Sequence, residues 1–126
     1  MSELPTRARQ SLRVPLEPMD RGPAPHVLIA DRNPASRAAR EQQLRGSGFR
    51  VSVARTGFEA IVKASCQVPD LVLLDESLER GDIETAEVSR LLTTCPVTAH
   101  IPIVRLGRRN RMPQRLLSDL RRRIAV

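Results

Sequence analysis

The sequence predicts an α/β fold, a doubly wound parallel sheet of four to five strands with helices on both faces. Short apolar runs recur along the chain without polar alternation, which is typical of strands that are covered on both sides. Segments with helix caps and helix formers stand between these runs. Strands and helices therefore alternate from residue 26 onwards, as they do in sheets built from right-handed crossovers.

The first strand and the first helix have clear boundaries in the sequence. Residues 26–31, HVLIAD, form a continuous apolar run that ends on an aspartate. Asn33 is then placed as a helix N-cap with Pro34 at the first helical position. Gly46 stops this helix, because glycine is favoured just past a helix end.

The second strand and helix follow directly. Residues 49–54, FRVSVA, alternate and present their apolar side chains to one side. Thr56 is predicted to be the N-cap of the second helix. The side chains predicted to pack from this helix are Phe58, Ile61, Val62 and Ala64.

The rest of the chain continues the same alternation. The predicted elements are a third strand at 70–75, a loop at 76–82, a helix at 83–94, a fourth strand at 101–106, a basic loop at 107–111, a helix at 112–123 and a short last strand at 124–126. Residues 1–25 hold five prolines and show no sustained apolar period. They are predicted to be a flexible tail, and residues 26–126 the folded domain.

Asp31 and Asp75 are the candidate functional residues that the fold itself indicates. Each is the last residue of a predicted buried strand. Sites in open parallel sheets form outside the carboxyl ends of the strands. We therefore expect the two aspartates to meet at one edge of the sheet.

Composition narrows the classes of partner. The formal net charge is +7, and Lys63 is the only lysine. This charge leaves open a small basic nucleic-acid-binding protein that uses the arginines after residue 104. The arginines are scattered and no aromatic residues interleave with them, so nucleic acid is not the expected partner. No run approaches a membrane span and no secretory signal is visible, so the expected location is the cytoplasm.

Residues 26–107 resemble the receiver domain of two-component response regulators, which has a flavodoxin-like fold. The segments that carry the resemblance are VLIADRNPASR, GFRVSVARTGFEAI, PDLVLLDESL and TAHIPIVRL. The resemblance implies a non-enzymatic signalling module of a phosphorelay. A histidine kinase or another signalling protein is the implied partner, and Asp75 stands at the phospho-acceptor position.

The resemblance also implies a Mg²⁺ site, and the sequence departs from it there. The implied ligands are Asp31, Asp75 and the main-chain carbonyl of Ser77, together with a second acidic residue where this chain has Arg32. An arginine cannot ligate Mg²⁺ and brings a fixed positive charge to the site. Mg²⁺ is therefore a doubtful cofactor, and Arg32 is predicted to pair with Asp75 as a lock.

Two further departures affect the positions that contact a phosphoryl group in the family. Gly107 stands where a Thr or Ser hydroxyl is implied, and no lysine is present in the last predicted strand. Arg108 or Arg109 could supply the missing cation. A full receiver also needs about a fifth more residues than positions 26–126 provide. The last helix is predicted to be missing, which would leave a surface that favours a homodimer or another partner.

These observations predict a degenerate receiver that acts through protein–protein interaction. The alternative within the family is a working, Mg²⁺-dependent phospho-acceptor that tolerates unusual site residues. Asp31 and Asp75 are retained under either interpretation, so the sequence alone leaves both open.

Overall fold

The computed structural model describes residues 24–107 together with Ser118 and Arg122. In chain order the elements are β1 (His26–Ala30), α1 (Pro34–Gly46), β2 (Arg50–Ala54), α2 (Gly57–Gln67), β3 (Leu71–Asp75), a 3₁₀ helix (Glu76–Arg80), α3 (Thr85–Thr94) and β4 (Ile103–Leu106). Of the expectations above, residues 1–23 of the predicted tail, most of the predicted helix at 112–123, the predicted last strand, Arg108 and Arg109 lie outside the described residues.

The four strands form one parallel sheet in the order β2-β1-β3-β4. This confirms the predicted α/β class with a doubly wound parallel sheet. Strands β1 and β3 are the two central strands, and every residue of β3 is buried. Because β1 and β3 are neighbours with all carboxyl ends on one side, their last residues come together at a single edge.

The core has one apolar cluster on each face of the sheet. On the first face Leu44 of α1 packs with Val27, Ile29 and Leu73. On the second face α2 and α3 cover the alternate residues of the same strands, and this cluster includes Leu28, Ala30, Val72, Leu74, Ala60, Ala64, Val88 and Leu92. Burial on both faces explains why the two central strands, β1 and β3, are nearly continuous apolar runs in the sequence.

The predicted starts of α1 and α2 are confirmed, whereas α3 begins at Thr85, two residues later than predicted. The Asn33 side chain accepts hydrogen bonds from the main-chain N–H groups of Ala35 and Ser36, with Pro34 in the first turn. Thr56 caps α2 by accepting from the N–H of Glu59. These caps satisfy N–H groups that have no partner inside the helix, which is why the local sequence placed them correctly.

Two local expectations are wrong. Phe58 and Val62 do not pack inward, since their side chains are 62% and 42% exposed. The inner face of α2 consists of small residues instead, namely Gly57, Ala60 and Ala64. Residues 76–80 form a 3₁₀ helix rather than part of an open loop, because the Asp75 carboxylate caps the first turn.

Within the described residues, no helix combines the length and the apolar character that crossing a bilayer requires.

Candidate functional site

Asp31 and Asp75 meet at the carboxyl edge of the sheet, as the strand pattern predicts. Ala30 of β1 pairs with Leu74 of β3, and each aspartate is the next residue along its chain. Asp31 is 0% exposed and Asp75 is 4% exposed. Two buried carboxylates on neighbouring strands need a counter-charge, since an unpaired buried charge is costly.

The counter-charge is the guanidinium of Arg40. Its Nη1 lies 2.5 Å from Asp75 Oδ1 and 3.5 Å from Asp31 Oδ2. Its Nη2 donates to the main-chain carbonyl of Gly107 at 2.8 Å. Arg40 is 1% exposed, so the whole group lies inside the protein. One side chain from α1 therefore contacts the carboxyl ends of β1 and β3 and the residue after β4.

The direction of α1 explains how Arg40 reaches this edge. The helix begins just after β1 and runs back along the sheet, and Ser36, Arg40 and Leu44 share its buried face. Long helical side chains point toward the helix N-terminus. The Arg40 stem therefore rises from the middle of α1 toward the edge where both aspartates lie.

Asp31 is held by a dense set of donors. Its Oδ2 accepts from the Ser36 hydroxyl at 2.5 Å. Its Oδ1 accepts from the Asn33 main-chain N–H at 2.9 Å and from the Ser77 hydroxyl at 3.2 Å. These bonds fix the carboxylate and link the turn after β1 to the 3₁₀ helix after β3.

Asp75 has two identified donors. Its Oδ2 accepts from the Ser77 main-chain N–H at 2.9 Å, and its Oδ1 accepts from Arg40. Each of the four carboxylate oxygens of Asp31 and Asp75 therefore accepts at least one hydrogen bond from the protein. The carboxylate at the end of β3 is both a helix cap and half of a buried ion pair.

Arg32 is not the residue that pairs with Asp75, and that prediction is wrong. Arg32 is exposed, and its side chain passes alongside Gly81 in the loop after the 3₁₀ helix. Only its main-chain N–H contributes to the network, by donating to the Ser77 hydroxyl at 3.1 Å. Asn33 caps α1 immediately afterwards, so Arg32 lies in the turn and is directed outward.

Gly107 follows the last residue of β4 and belongs to the network through its carbonyl alone. It is exposed, and a Cβ built there would meet no atom within 4 Å. The position is therefore open to a side chain, and its proposed role as a phosphate contact stays a prediction.

The residues present do not fit a resident Mg²⁺ ion. A guanidinium already lies between the two carboxylates, and a second positive charge there would be repelled. Among residues 24–107, no group of three or more His, Cys, Asp or Glu side chains could hold a metal. Mg²⁺ prefers octahedral oxygen ligands with open positions for water, and here the carboxylate oxygens are already bonded to protein donors.

A third carboxylate, Asp82, lies outside this network and connects the loop after the 3₁₀ helix to the start of α2. It accepts from the main-chain N–H groups of Gly57 at 3.0 Å and Phe58 at 3.2 Å. Desolvation acts to raise the pKa of Asp82, but hydrogen bonds from the N–H groups of Phe58, Gly57 and Ile83 outweigh it and leave the pKa lowered. Gly57 itself packs closely against α3. A side chain at this position would not fit, because a Cβ there would lie 2.9 Å from Val88 Cγ2.

A polar cleft of about 790 Å³ lies at the amino ends of the strands, on the side of the sheet opposite to Asp31 and Asp75. His26 Nε2 lies 2.8 Å from the Ser52 hydroxyl, which donates to Gln67 at 2.7 Å. Burial and the nearby charge of Arg50 lower the pKa of His26, while Asp70 acts to raise it. This cleft is far along the strands from Asp31 and Asp75, and it contains none of the predicted site residues.

Sequence reasoning missed Arg40 and Ser36. The available signal was their spacing, because Ser36, Arg40 and Leu44 recur every four residues and only one face of α1 can be buried. An arginine on that face needs a buried acidic partner. The two predicted aspartates at the nearby edge were the natural candidates.

Comparisons with known proteins agree with the fold described above. No protein-family model matches the chain. A putative response regulator from Chloroflexus aurantiacus matches with a TM-score of 0.72 and 22% identity over 82% of this chain and 99% of that one. A chemotaxis response regulator of Vibrio cholerae matches with a TM-score of 0.68 and 18% identity, covering 80% and 98% of the two chains.

Two other matches are more similar in sequence. The signal receiver domain of a modulated diguanylate cyclase from Desulfovibrio desulfuricans is 25% identical, with a TM-score of 0.59 over 79% of this chain and 75% of that one. The gliding motility regulatory protein of Myxococcus xanthus is 31% identical over 81 residues, which are 64% of this chain and 10% of that protein. The structural matches agree with the parallel sheet described above: the chain has the fold of the receiver domains of response regulators.

Proposed function

We propose that this protein is a degenerate receiver, a signalling module that works through contacts with other proteins rather than through phosphorylation of Asp75. The single observation that carries the proposal is the ion pair between Arg40 and Asp75, with 2.5 Å between Nη1 and Oδ1. The expected partners are a histidine kinase or another cytoplasmic signalling protein. The likeness to a gliding motility regulatory protein supports the same class of function.

The ion pair opposes phosphorylation for two reasons. The buried Arg40 cation stabilises the Asp75 carboxylate as an anion, which lowers its reactivity as a nucleophile toward phosphorus. Phosphoryl transfer also needs cationic donors directed at the phosphoryl oxygens. The Arg40 Nη atoms are instead directed at Asp75, Asp31 and the Gly107 carbonyl.

The alternative is a working phospho-acceptor, and the convergence of Asp31 and Asp75 favours it. In that case Arg40 would leave Asp75 whenever Mg²⁺ and a phosphodonor are present. Both residues are buried, and moving Arg40 away leaves the Asp75 carboxylate inside the protein without its protein counter-charge. We therefore favour the degenerate receiver.

Intact mass spectrometry decides between the two. The wild-type protein, the variant Asp75→Asn and a phosphorylatable receiver as positive control are incubated with acetyl phosphate and Mg²⁺. We expect the positive control to gain one phosphoryl group and the wild-type protein to keep its mass. A gain in the wild-type protein that Asp75→Asn abolishes would contradict the proposal and support the phospho-acceptor.

A further inference from the structure

Arg40 contacts the part of the molecule where a metal ion would otherwise be required. Its guanidinium lies against both buried carboxylates and against the Gly107 carbonyl beyond β4. The same three points could be joined by a divalent cation, since all three offer hard oxygen ligands. The charge balance differs, because two carboxylates exceed one guanidinium by one negative charge.

We propose that Arg40 is the built-in cation of this edge, that it excludes divalent metal ions from Asp31 and Asp75, and that removing its charge creates a divalent-cation site on these two carboxylates. The inference rests on the proposed function and adds the identity of the excluding group. The cation class is a hard divalent ion, for which Mg²⁺ and its paramagnetic analogue Mn²⁺ are the probes.

We assign the exclusion of metal ions to Arg40 rather than to Arg32 because the two arginines differ in burial. Arg40 is 1% exposed, whereas the side chain of Arg32 is exposed beside Gly81. A charge near water is screened, but a charge in a buried site acts at nearly full strength on its neighbours. Arg40 therefore dominates the electrostatics of the carboxylate pair, even though Arg32 is adjacent to Asp31 in the sequence.

The site left by a neutral side chain at position 40 would have three oxygen donors in place. Asp31 and Asp75 supply carboxylates, and the Gly107 carbonyl, to which Arg40 Nη2 donates at 2.8 Å, supplies the third oxygen. Water would complete the shell, so we expect weak binding in the millimolar range. A third carboxylate at position 32, in the turn between Asp31 and the N-cap Asn33, would strengthen it.

The test is a set of six proteins titrated with Mn²⁺. They are the wild type, Arg40→Met, Arg32→Asp, the double variants Arg32→Asp/Arg40→Met and Arg40→Met/Asp75→Asn, and the matched control Arg37→Met. Arg37 lies on the same helix and donates to the Asp31 main-chain carbonyl at 3.0 Å, so its loss removes a nearby arginine without uncovering a carboxylate. Bound Mn²⁺ is counted by electron paramagnetic resonance, and the Mg²⁺-dependent shift in melting temperature is measured in parallel.

We expect the wild type, Arg37→Met and Arg32→Asp to bind no Mn²⁺ at low millimolar concentration. Arg40→Met should bind one ion, on the order of a hundredfold more tightly than the wild type, because a repulsive charge has been removed. The double variant Arg32→Asp/Arg40→Met should bind more tightly again, and Asp75→Asn added to Arg40→Met should abolish binding.

Three outcomes would overturn the proposal. The first is Mn²⁺ binding at Asp75 in the wild type, which would show that Arg40 excludes nothing. The second is equal binding by Arg32→Asp and the double variant Arg32→Asp/Arg40→Met, which would assign the exclusion to Arg32. The third is a folded Arg40→Met variant that binds no Mn²⁺. Should Arg40→Met fail to fold, Arg32→Asp still decides, because it offers a third carboxylate while Arg40 remains: no binding supports the proposal, and binding of one ion overturns it.

The Mn²⁺ titration and the phosphorylation experiment can fail independently of each other. A wild type that is not phosphorylated, together with an Arg40→Met variant that binds no cation, would leave the proposed function standing and refute only the role of Arg40 as a cation substitute. Phosphorylation of the wild type would refute the proposed function, whatever Arg40→Met binds.

Discussion

Two arginine–carboxylate pairs in this protein have the same contact distance in opposite surroundings. Arg40 Nη1 and Asp75 Oδ1 are 2.5 Å apart, with side chains that are 2% and 6% exposed. Arg90 Nη2 and Glu87 Oε2 are also 2.5 Å apart, but these side chains are 59% and 45% exposed. The first pair joins α1 to β3, and the second joins neighbouring turns of α3.

The comparison teaches that burial, rather than contact distance, decides what an ion pair does. At the surface, water and salt screen the attraction, and either partner is well solvated without the other. In the interior, each partner of Arg40 and Asp75 depends on the other, because a lone buried charge has no solvent. The buried pair therefore fixes the position of α1 relative to β3, whereas the exposed pair contributes little to the stability of α3.

The largest expected effect comes from removing the buried cation. Arg40→Met should lower the free energy of unfolding by about 3–5 kcal/mol, because it leaves two buried carboxylates without a counter-charge. Urea unfolding followed by circular dichroism measures the loss. Arg40→Met/Asp75→Asn should recover part of it, and a double variant no more stable than Arg40→Met would contradict the charge argument.

A smaller loss is expected for Asp75→Asn, which keeps the shape of the side chain. Arg40 retains Asp31 and the Gly107 carbonyl, so its charge stays paired. The free energy of unfolding should fall by about 1–3 kcal/mol, the typical cost of losing a charged hydrogen bond in the interior. A loss as large as that of Arg40→Met would show that Asp31 does not share the guanidinium.

The expected effect of removing Asp82 lies between those of the buried and the exposed ion pair, since Asp82 is exposed but accepts main-chain hydrogen bonds. Asp82→Ala should cost about 1 kcal/mol, as for a lost helix cap. Its folded-state pKa is lowered, so its contribution should be full above the ordinary value of 3.8 and vanish as the pH falls through the folded-state pKa. The free energy of unfolding, measured across this acidic range, should fall less steeply with decreasing pH for Asp82→Asn than for the wild type.

The smallest effect is expected at the exposed pair. A double-mutant cycle with Glu87→Gln and Arg90→Gln should give nearly additive stabilities, and the residual coupling should disappear in molar salt. The same salt should barely change the cost of Arg40→Met. Strong, salt-resistant coupling between Glu87 and Arg90 would contradict the role assigned to burial.

Several elements of the fold could be predicted because their causes are local. Asn33 and Thr56 cap helices through bonds to residues two or three positions away, so the sequence contains the whole interaction. The position of Asp75 followed from an unbroken apolar run and the rule for parallel sheets. Phe58 was misplaced because apolar character alone does not say which face of α2 meets the sheet.

The sequence by itself determined the alternation of strands and helices, the caps, and the meeting of Asp31 and Asp75 at one edge, because short-range patterns and chain direction dictate them. Only the tertiary structure decided which arginine neutralises that edge. Arg32 is one residue from Asp31 and is directed outward, whereas Arg40 is nine residues away and is buried against both carboxylates. The direction and burial of α1 set this choice, and distance along the sequence cannot reveal it.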